Sequence, residues 1–440
     1  MSSTATPGER ADAEFRRRLA PLLGPPGEAP DLGQAQLDAL RARVVWSRLV
    51  EPGDAIAGAL IGTLGAATML TLFAEGKSAK QIGDLARESG LTEVSDRAIQ
   101  AGVRRWQPRL DRSELHRDLE RAVSAGMRLL TPVDEAWPHA LDDLGAHAPL
   151  VLWVRGDPER LSGPRIAIVG ARACTGYGAH ITSELAGVAG SAGATVVSGA
   201  AYGIDAVAHR TALAAGRPTI AVLAGGADRA YPSAHSSLLR GIADTGVVCS
   251  ELVPGAAPTR WRFLQRNRVI AALSHATLVT EAGLRSGSLN TAGHAATLGR
   301  PLGAVPGPVT SAASAGCHRL IRDYGAALVT NEPELRELLG LPADALADLG
   351  DPEQAGAPDP EQTGAPDPEQ AGGRQPPAHR RVIDALPLRG GRTVAETARL
   401  AGVGTAEARA VLAELELLGY VQRRETPEAG ETRWALQRRE

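Results

Sequence analysis

The stretch Arg165–Gly178, RIAIVGARACTGYG, decides the fold. It reads as an unbroken apolar run, then a loop of small residues, then the start of a helix. An α/β protein holds a phosphate with that arrangement, because glycine lets the backbone come close and helix-terminal amides attract an anion. Similar apolar runs recur at Ile166–Val169 (within this stretch), Thr195–Val197, Thr219–Leu223, Val247–Cys249, Ala276–Thr280 and Leu302–Val305. Each is followed by glycine or polar residues, and most then by a helical pattern. Apolar runs without alternation belong to strands covered on both faces, so the expectation is a doubly wound, mostly parallel sheet.

Such a sheet gathers its βα loops at one edge, beyond the carboxyl ends of the strands, where ligands bind. The loops are ARACTGYG after Gly170, GAAYGID after Ser198, GGADRAYP after Ala224, AGLRSGSL after Glu281 and PGP after Val305. The dinucleotide fingerprint requires glycines at its first, third and sixth places, and here they stand at Gly170, Gly176 and Gly178, so it fails. Arg172, two residues after Gly170, offers a planar fork of donors at the top of the strand. Arg266-Asn267-Arg268 and Arg285-Ser286-Gly287-Ser288 add donors of the kind used against nucleic-acid backbones. The set expected to contact a nucleic-acid backbone is Gly170, Arg172, Ser198, Gly199, Gly225, Arg266, Asn267, Arg268, Arg285, Ser286, Gly287 and Ser288.

No catalytic constellation competes with this set. His209, His235, His275, His294 and His318 lack metal-ligand spacing, and no metal or cofactor is expected. Asp205 and His209 share a helix face at i, i+4, which suits an acid/base pair or, more simply, a structural hydrogen bond. Cys174, Cys249 and Cys317 lie far apart without a C-x-x-C, which argues for a reducing, cytoplasmic setting.

Of the 440 residues 43% are hydrophobic and only 3% aromatic, so the expected core is built from Ala, Val, Leu and Ile. The uncharged run Ala55–Phe73 is long enough to cross a bilayer, but it is mostly Ala, Gly and Thr and lacks flanking aromatic belts; it reads as a buried helical hairpin. Gly76-Lys77-Ser78 lacks the upstream glycine of a P-loop, with Thr71 in its place, and reads as a loop between helices. The net charge of −3 conceals a division: eight acids and no Lys or Arg lie between Leu341 and Gly373, so the rest of the chain carries +5. That acidic segment repeats DPEQAGAP, DPEQTGAP, DPEQAGG with an eight-residue period, a composition expected to remain an extended linker.

In order and spacing, GARACTGYG, SGAAYGIDAVAHRTAL, YPSAH, SELVPG, RNRVIAALS, EAGLRSGSLNTAGHAATLGRP, AVPG and GCHRLIRDYGA resemble the DNA-processing protein A family (DprA, also called Smf). The resemblance covers roughly 125–331. It implies a Rossmann-like domain that binds single-stranded DNA, a homodimer, loading of the RecA recombinase during natural transformation, and no enzymatic activity. Arg172 matches the arginine of the family's glycine-arginine motif; the family's lysine after the Tyr-Pro pair is absent here, where Tyr231-Pro232 is followed by Ser233, Ala234, Ser236 and Ser237. Leu320 and Ile321 fall where the family dimerises, with core packing of a helix the equal alternative.

The domains expected are a mobile tail over 1–43, a helical domain over 44–121 similar to sterile-alpha-motif or helix-hairpin-helix folds, and the Rossmann-like domain over 122–338. The acidic linker (339–377) and a winged helix (378–440) complete the chain. Thr393 and Thr405 read as helix N-caps of that last domain. Its third helix offers only Arg409 against Glu407, Glu414 and Glu416, so duplex reading and protein contact are equally open. Two rival functions carry less support. A phosphoribohydrolase-like enzyme needs a P-G-G-x-G-T loop where this chain has Ala224-Gly-Gly-Ala-Asp-Arg, and a sequence-specific regulator needs a more basic recognition helix.

Overall fold

The computed structural model describes residues 7–24, 30–110, 112–341, 377–387, 391–417, 421–425 and 432–436. The chain divides into two compact units, residues 1–345 and 346–440. The acidic repeat lies outside the described residues.

The first unit opens with seven helices: α1 (Pro7–Leu23), α2 (Gln34–Leu49), α3 (Ala55–Leu64), α4 (Ala66–Ala74), α5 (Ala79–Glu88), α6 (Asp96–Trp106) and α7 (Arg112–Ser124). The mobile tail expected over 1–43 is therefore corrected: residues 7–23 and 34–43 are helical. Phe15, Leu19 and Leu22 recur at helical spacing and are buried with Leu37, Leu40 and Val44 against Trp153 and Val248 of the sheet. Burying each such side chain contributes roughly 1.5–3 kcal/mol, enough to order a segment whose prolines and glycines conceal its periodicity. Helices α3 and α4 meet at 110° at Gly65, and among the described residues no single helix is long and apolar enough to cross a membrane. Their core is aromatic, with Trp46 packed 5.3 Å from Trp106 and 5.5 Å from Phe73. The three rings concentrate bulk that the overall composition does not announce. Ser78, beyond Gly76-Lys77, caps α5 through its hydroxyl, accepting from the Gln81 amide.

The remainder of this unit is built on a nine-stranded sheet: β1 (Arg128–Leu130), β2 (Leu152–Gly156), β3 (Arg165–Gly170), β4 (Thr195–Ser198), β5 (Thr219–Val222), β6 (Val247–Ser250), β7 (Ala276–Glu281), β8 (Leu302–Ala304) and β9 (Ala327–Leu328). The order is β1-β2-β6-β5-β4-β3-β7-β8-β9. Strands β3 to β9 are parallel to one another, and β2 and β1 extend the β6 edge antiparallel. Each of the six apolar runs is a strand of this sheet. Crossover helices α8 (Gly176–Ser191), α9 (Ile204–Ala214), α10 (Ser236–Thr245), α11 (Arg260–Leu273), α12 (Ser288–Thr297), α13 (Ala315–Tyr324) and α14 (Glu332–Leu338) cover it. In β3, Ile166 and Ile168 join the cluster of α8 and α9, while Ala167 and Val169 join that of α11 and α12, so both faces are buried. The helical segment 44–121, expected as a domain of its own, belongs to the same compact unit as the sheet. Buried side chains of α1, α2 and α7 share one apolar cluster with β1, β2, β5 and β6.

The second unit runs α15 (Pro377–Asp384), α16 (Val394–Ala401), α17 (Thr405–Leu417), β10 (Val421–Glu425) and β11 (Thr432–Leu436). The two strands pair antiparallel, with Val421 opposite Leu436. Val382, Leu386, Leu412, Leu415 and Trp434 form its core. Thr393 caps α16 as expected, in a reciprocal capping box with Glu396. Thr405 is instead the first residue of α17. Gly404 precedes it and its carbonyl receives the Ala408 amide at 2.8 Å, glycine being itself a tolerated cap.

Candidate nucleic-acid interface

Strand order reverses between β3 and β7, and the loops that leave these two strands border the crevice where an open α/β sheet binds its ligand. The β3 loop carries Arg172 and the β7 loop carries Arg285; both side chains are exposed. Gly170 cannot be larger, since a Cβ there would stand 2.6 Å from Ile204 Cγ1. The loop bends back under Gly203, whose φ of 75° is left-handed and whose Cα faces the carbonyls of Ala171 and Arg172. Arg172 thus leaves the edge from a braced backbone. Its guanidinium lies 4.9 Å from the centroid of Phe263 on α11, and it forms no ion pair with any described residue. Cation–π stacking of this kind contributes on the order of 0.5–1 kcal/mol while leaving the donor edge of the guanidinium free.

Beneath this exposed layer lies a buried one. Arg266 is buried, donates from Nη1 to the Val222 carbonyl at 3.0 Å, and presses on Gly199, where a Cβ would overlap the guanidinium. Burial pulls its pKa down to about 10, against the opposing pull of Asp205. Asp205 is also buried, and its Oδ2 accepts the amides of Gly199 at 3.1 Å and Ala201 at 3.4 Å; burial pushes its carboxyl up. Asn267 donates to the Gly287 carbonyl and to Asn290 Oδ1. Arg268 is paired with Glu251 at 2.6 Å, both side chains at most 10% exposed. Arg266-Asn267-Arg268, expected to reach a nucleic-acid backbone, therefore faces inward from α11. The cause is its register: all three residues lie on buried turns of the helix, where periodicity cannot be judged because every residue from 266 to 273 is enclosed.

Other members of the expected set divide in the same way. Ser198 is fully buried and donates to the Ile168 carbonyl at 2.7 Å, fastening β4 to β3. Gly199 is buried against Arg266. Gly225 borders an open cleft with Gly226, Arg229, Tyr231, Pro258 and Phe263. Ser286 and Ser288 hydrogen-bond to each other at 2.7 Å, Ser288 being buried and Gly287 exposed. Asp205 and His209 are not partners: His209 Nδ1 meets Thr219 Oγ1 at 2.8 Å, and burial drives its pKa down to about 3. Leu320 is buried in the sheet core and Ile321 packs half-buried against it, so Leu320 is a core residue and offers no surface.

The residues that sequence reasoning missed are aromatic. Tyr177, Tyr202 and Tyr231 follow β3, β4 and β5 and are 43%, 46% and 50% exposed. Tyr231 stands 5.5 Å from Phe263, Tyr202 lies edge-on to His235 at 4.8 Å, and the Tyr177 hydroxyl donates to the Pro306 carbonyl. Trp261, also exposed, begins α11 beside Arg260 and Phe263. The signal was present: the whole chain has five tyrosines, and three of them stand at this one edge, Tyr202 and Tyr231 in loops and Tyr177 in the first turn of α8. Exposed rings beside arginines that form no ion pair with a described residue, over a rigid buried frame, make a surface able to stack flat π-systems and bind a phosphate chain.

A sequence model described as DNA recombination-mediator protein A matches residues 128–340. The chain is 41% identical over 399 residues to a DprA-type DNA processing protein of Mycobacterium tuberculosis, covering 88% of this chain and 92% of that one. It is 40% identical over 192 residues to protein Smf of Escherichia coli, covering 43% and 51%. The X-ray structure of DNA processing protein A from Streptococcus pneumoniae superposes with a TM-score of 0.54 at 30% identity, over 68% of this chain and 97% of that one.

Proposed function

The chain belongs to the DNA-processing protein A family, also called DprA or Smf, and on that premise we propose that it binds single-stranded DNA across the carboxyl edge of its sheet. The observation that carries this reading is Arg172: exposed, without an ion pair to any described residue, stacked on Phe263 and set at the switch point among exposed tyrosines. A single strand presents both groups such a surface recognises, phosphates for the arginine fork and unstacked bases for the rings. A duplex hides its bases and satisfies only the first. Arg285 supplies further donors from the β7 loop, and Arg229, which lines the cleft with Tyr231 and meets Asp228 at 3.6 Å, takes the part of the family lysine absent after Pro232. Dimerisation and transfer of the strand to a RecA-type recombinase complete the proposal, on the strength of the family resemblance; a mediator of this kind needs no catalytic group.

Labelled single-stranded and duplex oligonucleotides titrated with the protein at two salt concentrations test the reading. The single strand is expected to bind more tightly at both, with log K falling as salt rises. A chain ending at Gly340 is expected to keep most of that affinity. Equal affinity for the duplex, or loss of nearly all binding in the shortened chain, would move the main site to the second unit.

A further inference from the structure

The N-terminus of α8 is where an α/β fold ordinarily seats a phosphate. In this chain the seat is filled from within. Glu281, the last residue of β7, is 2% exposed; its Oε2 accepts the Thr175 amide at 2.8 Å and its Oε1 the Thr175 hydroxyl at 2.6 Å. Thr175 is itself the cap of α8, accepting the Gly178 amide at 3.1 Å. Gly178 presses on the same carboxylate so closely that a Cβ there would stand 2.5 Å from Oε2. At the other end of the loop, the Glu281 carbonyl accepts the Ala171 amide at 2.7 Å. One residue therefore grips both ends of the segment 171–175, with Arg172 between them.

We propose that Glu281 is a positioning residue: its carboxylate occupies the anion seat of α8, and its hold on 171–175 sets Arg172 over Phe263 to meet a strand phosphate from outside. The inference rests on the single-strand reading above. It makes a prediction opposite in sign to bare electrostatics. A carboxylate near a polyanion repels it, so neutralising Glu281 should tighten binding if charge alone mattered. If Glu281 positions Arg172, neutralising it should weaken binding.

The test is fluorescence anisotropy of a labelled oligothymidylate with the full chain across a salt series, for wild type, Arg172→Ala, Glu281→Gln and the double variant. Glu281→Gln is expected to bind about three- to tenfold more weakly, with a salt slope lowered toward that of Arg172→Ala. The double variant should bind no more weakly than Arg172→Ala alone, as coupled neighbours do. Wild-type or tighter binding by Glu281→Gln with an undiminished slope, alongside a weakened Arg172→Ala, overturns the inference and leaves the site reading standing. An Arg172→Ala variant that binds like wild type removes the site reading and the inference with it. Should Glu281→Gln fail to fold, Thr175→Val, which deletes the hydroxyl donor, is expected to shift affinity and slope the same way while Thr175→Ser matches wild type. Unaltered affinity and slope in Thr175→Val then count against the proposal.

Discussion

Arg172 and Arg266 face the same Phe263 ring, at 4.9 and 5.9 Å, and do opposite work. Arg266 lies under the loops, bonded to the Val222 carbonyl and flanked by Asp205; Arg172 lies above them and forms no ion pair with any described residue. Side-chain chemistry is identical, so the difference is burial alone. The buried guanidinium gives Nη1 to the Val222 carbonyl and holds the loops in register, although its Nε meets no partner among the described residues, while the exposed one keeps its donors for a ligand. The same contrast separates Arg268, sealed against Glu251, from Arg285 on the β7 loop.

The strongest way to break the comparison is Arg268→Ala. It leaves Glu251 buried without its partner, and the expected loss is about 3–5 kcal/mol of unfolding free energy in denaturant titration. A loss within 0.5 kcal/mol of zero would place Arg268 with the exposed group after all.

The buried layer should next reveal itself through pH. Burial holds His209 at about 3, far below its ordinary 6.5. Between those values the unfolded chain takes up a proton there that the folded chain refuses, so stability is complete above pH 6.5 and declines as pH falls toward 3. The slope is on the order of 1.4 kcal/mol per pH unit, or about 2 kcal/mol lost at pH 5. Comparing unfolding at pH 7 and pH 5 in wild type and His209→Asn checks this: the substitution should remove that share of the pH dependence.

The smallest effect on folding and the clearest on binding belong to Arg172. Arg172→Ala should leave stability within about 1 kcal/mol of wild type, the size of the lost stack on Phe263. It should weaken oligonucleotide binding about tenfold, the size of one lost charge-assisted hydrogen bond, and lower the salt slope of log K by about 0.7. Arg172→Lys should fall between, because a point charge replaces a planar fork. Unaltered affinity and slope in a folded Arg172→Ala would erase the distinction between the layers.

Much of the fold was legible because its signals are local. A strand covered on both faces has no polar residue to interrupt it, so all six apolar runs, from Ile166–Val169 to Leu302–Val305, could be located one at a time. The helices over 7–23 and 34–43 escaped because Pro21, Pro25, Pro26 and Pro30 dominate the local reading, whereas Phe15, Leu19 and Leu22 acquire meaning only against Trp153 and Val248, far away in the chain. The aromatic edge escaped for a related reason: Tyr177, Tyr202 and Tyr231 are separated by 25 or more residues and become neighbours at one edge only after β3, β4 and β5 align.

By itself the sequence determined the parallel sheet, the edge at which its loops gather, and the position of Arg172 two residues beyond a strand; these follow from periodicity and from glycine placement, which are properties of short segments. Only the tertiary structure decided which arginines look outward, that Leu320 is core, and that the anion seat of α8 already holds Glu281. Those outcomes depend on what stands opposite each side chain across the sheet. A neighbour 106 residues away, as Glu281 is from Thr175, is brought there by packing, and nothing within either segment announces the other.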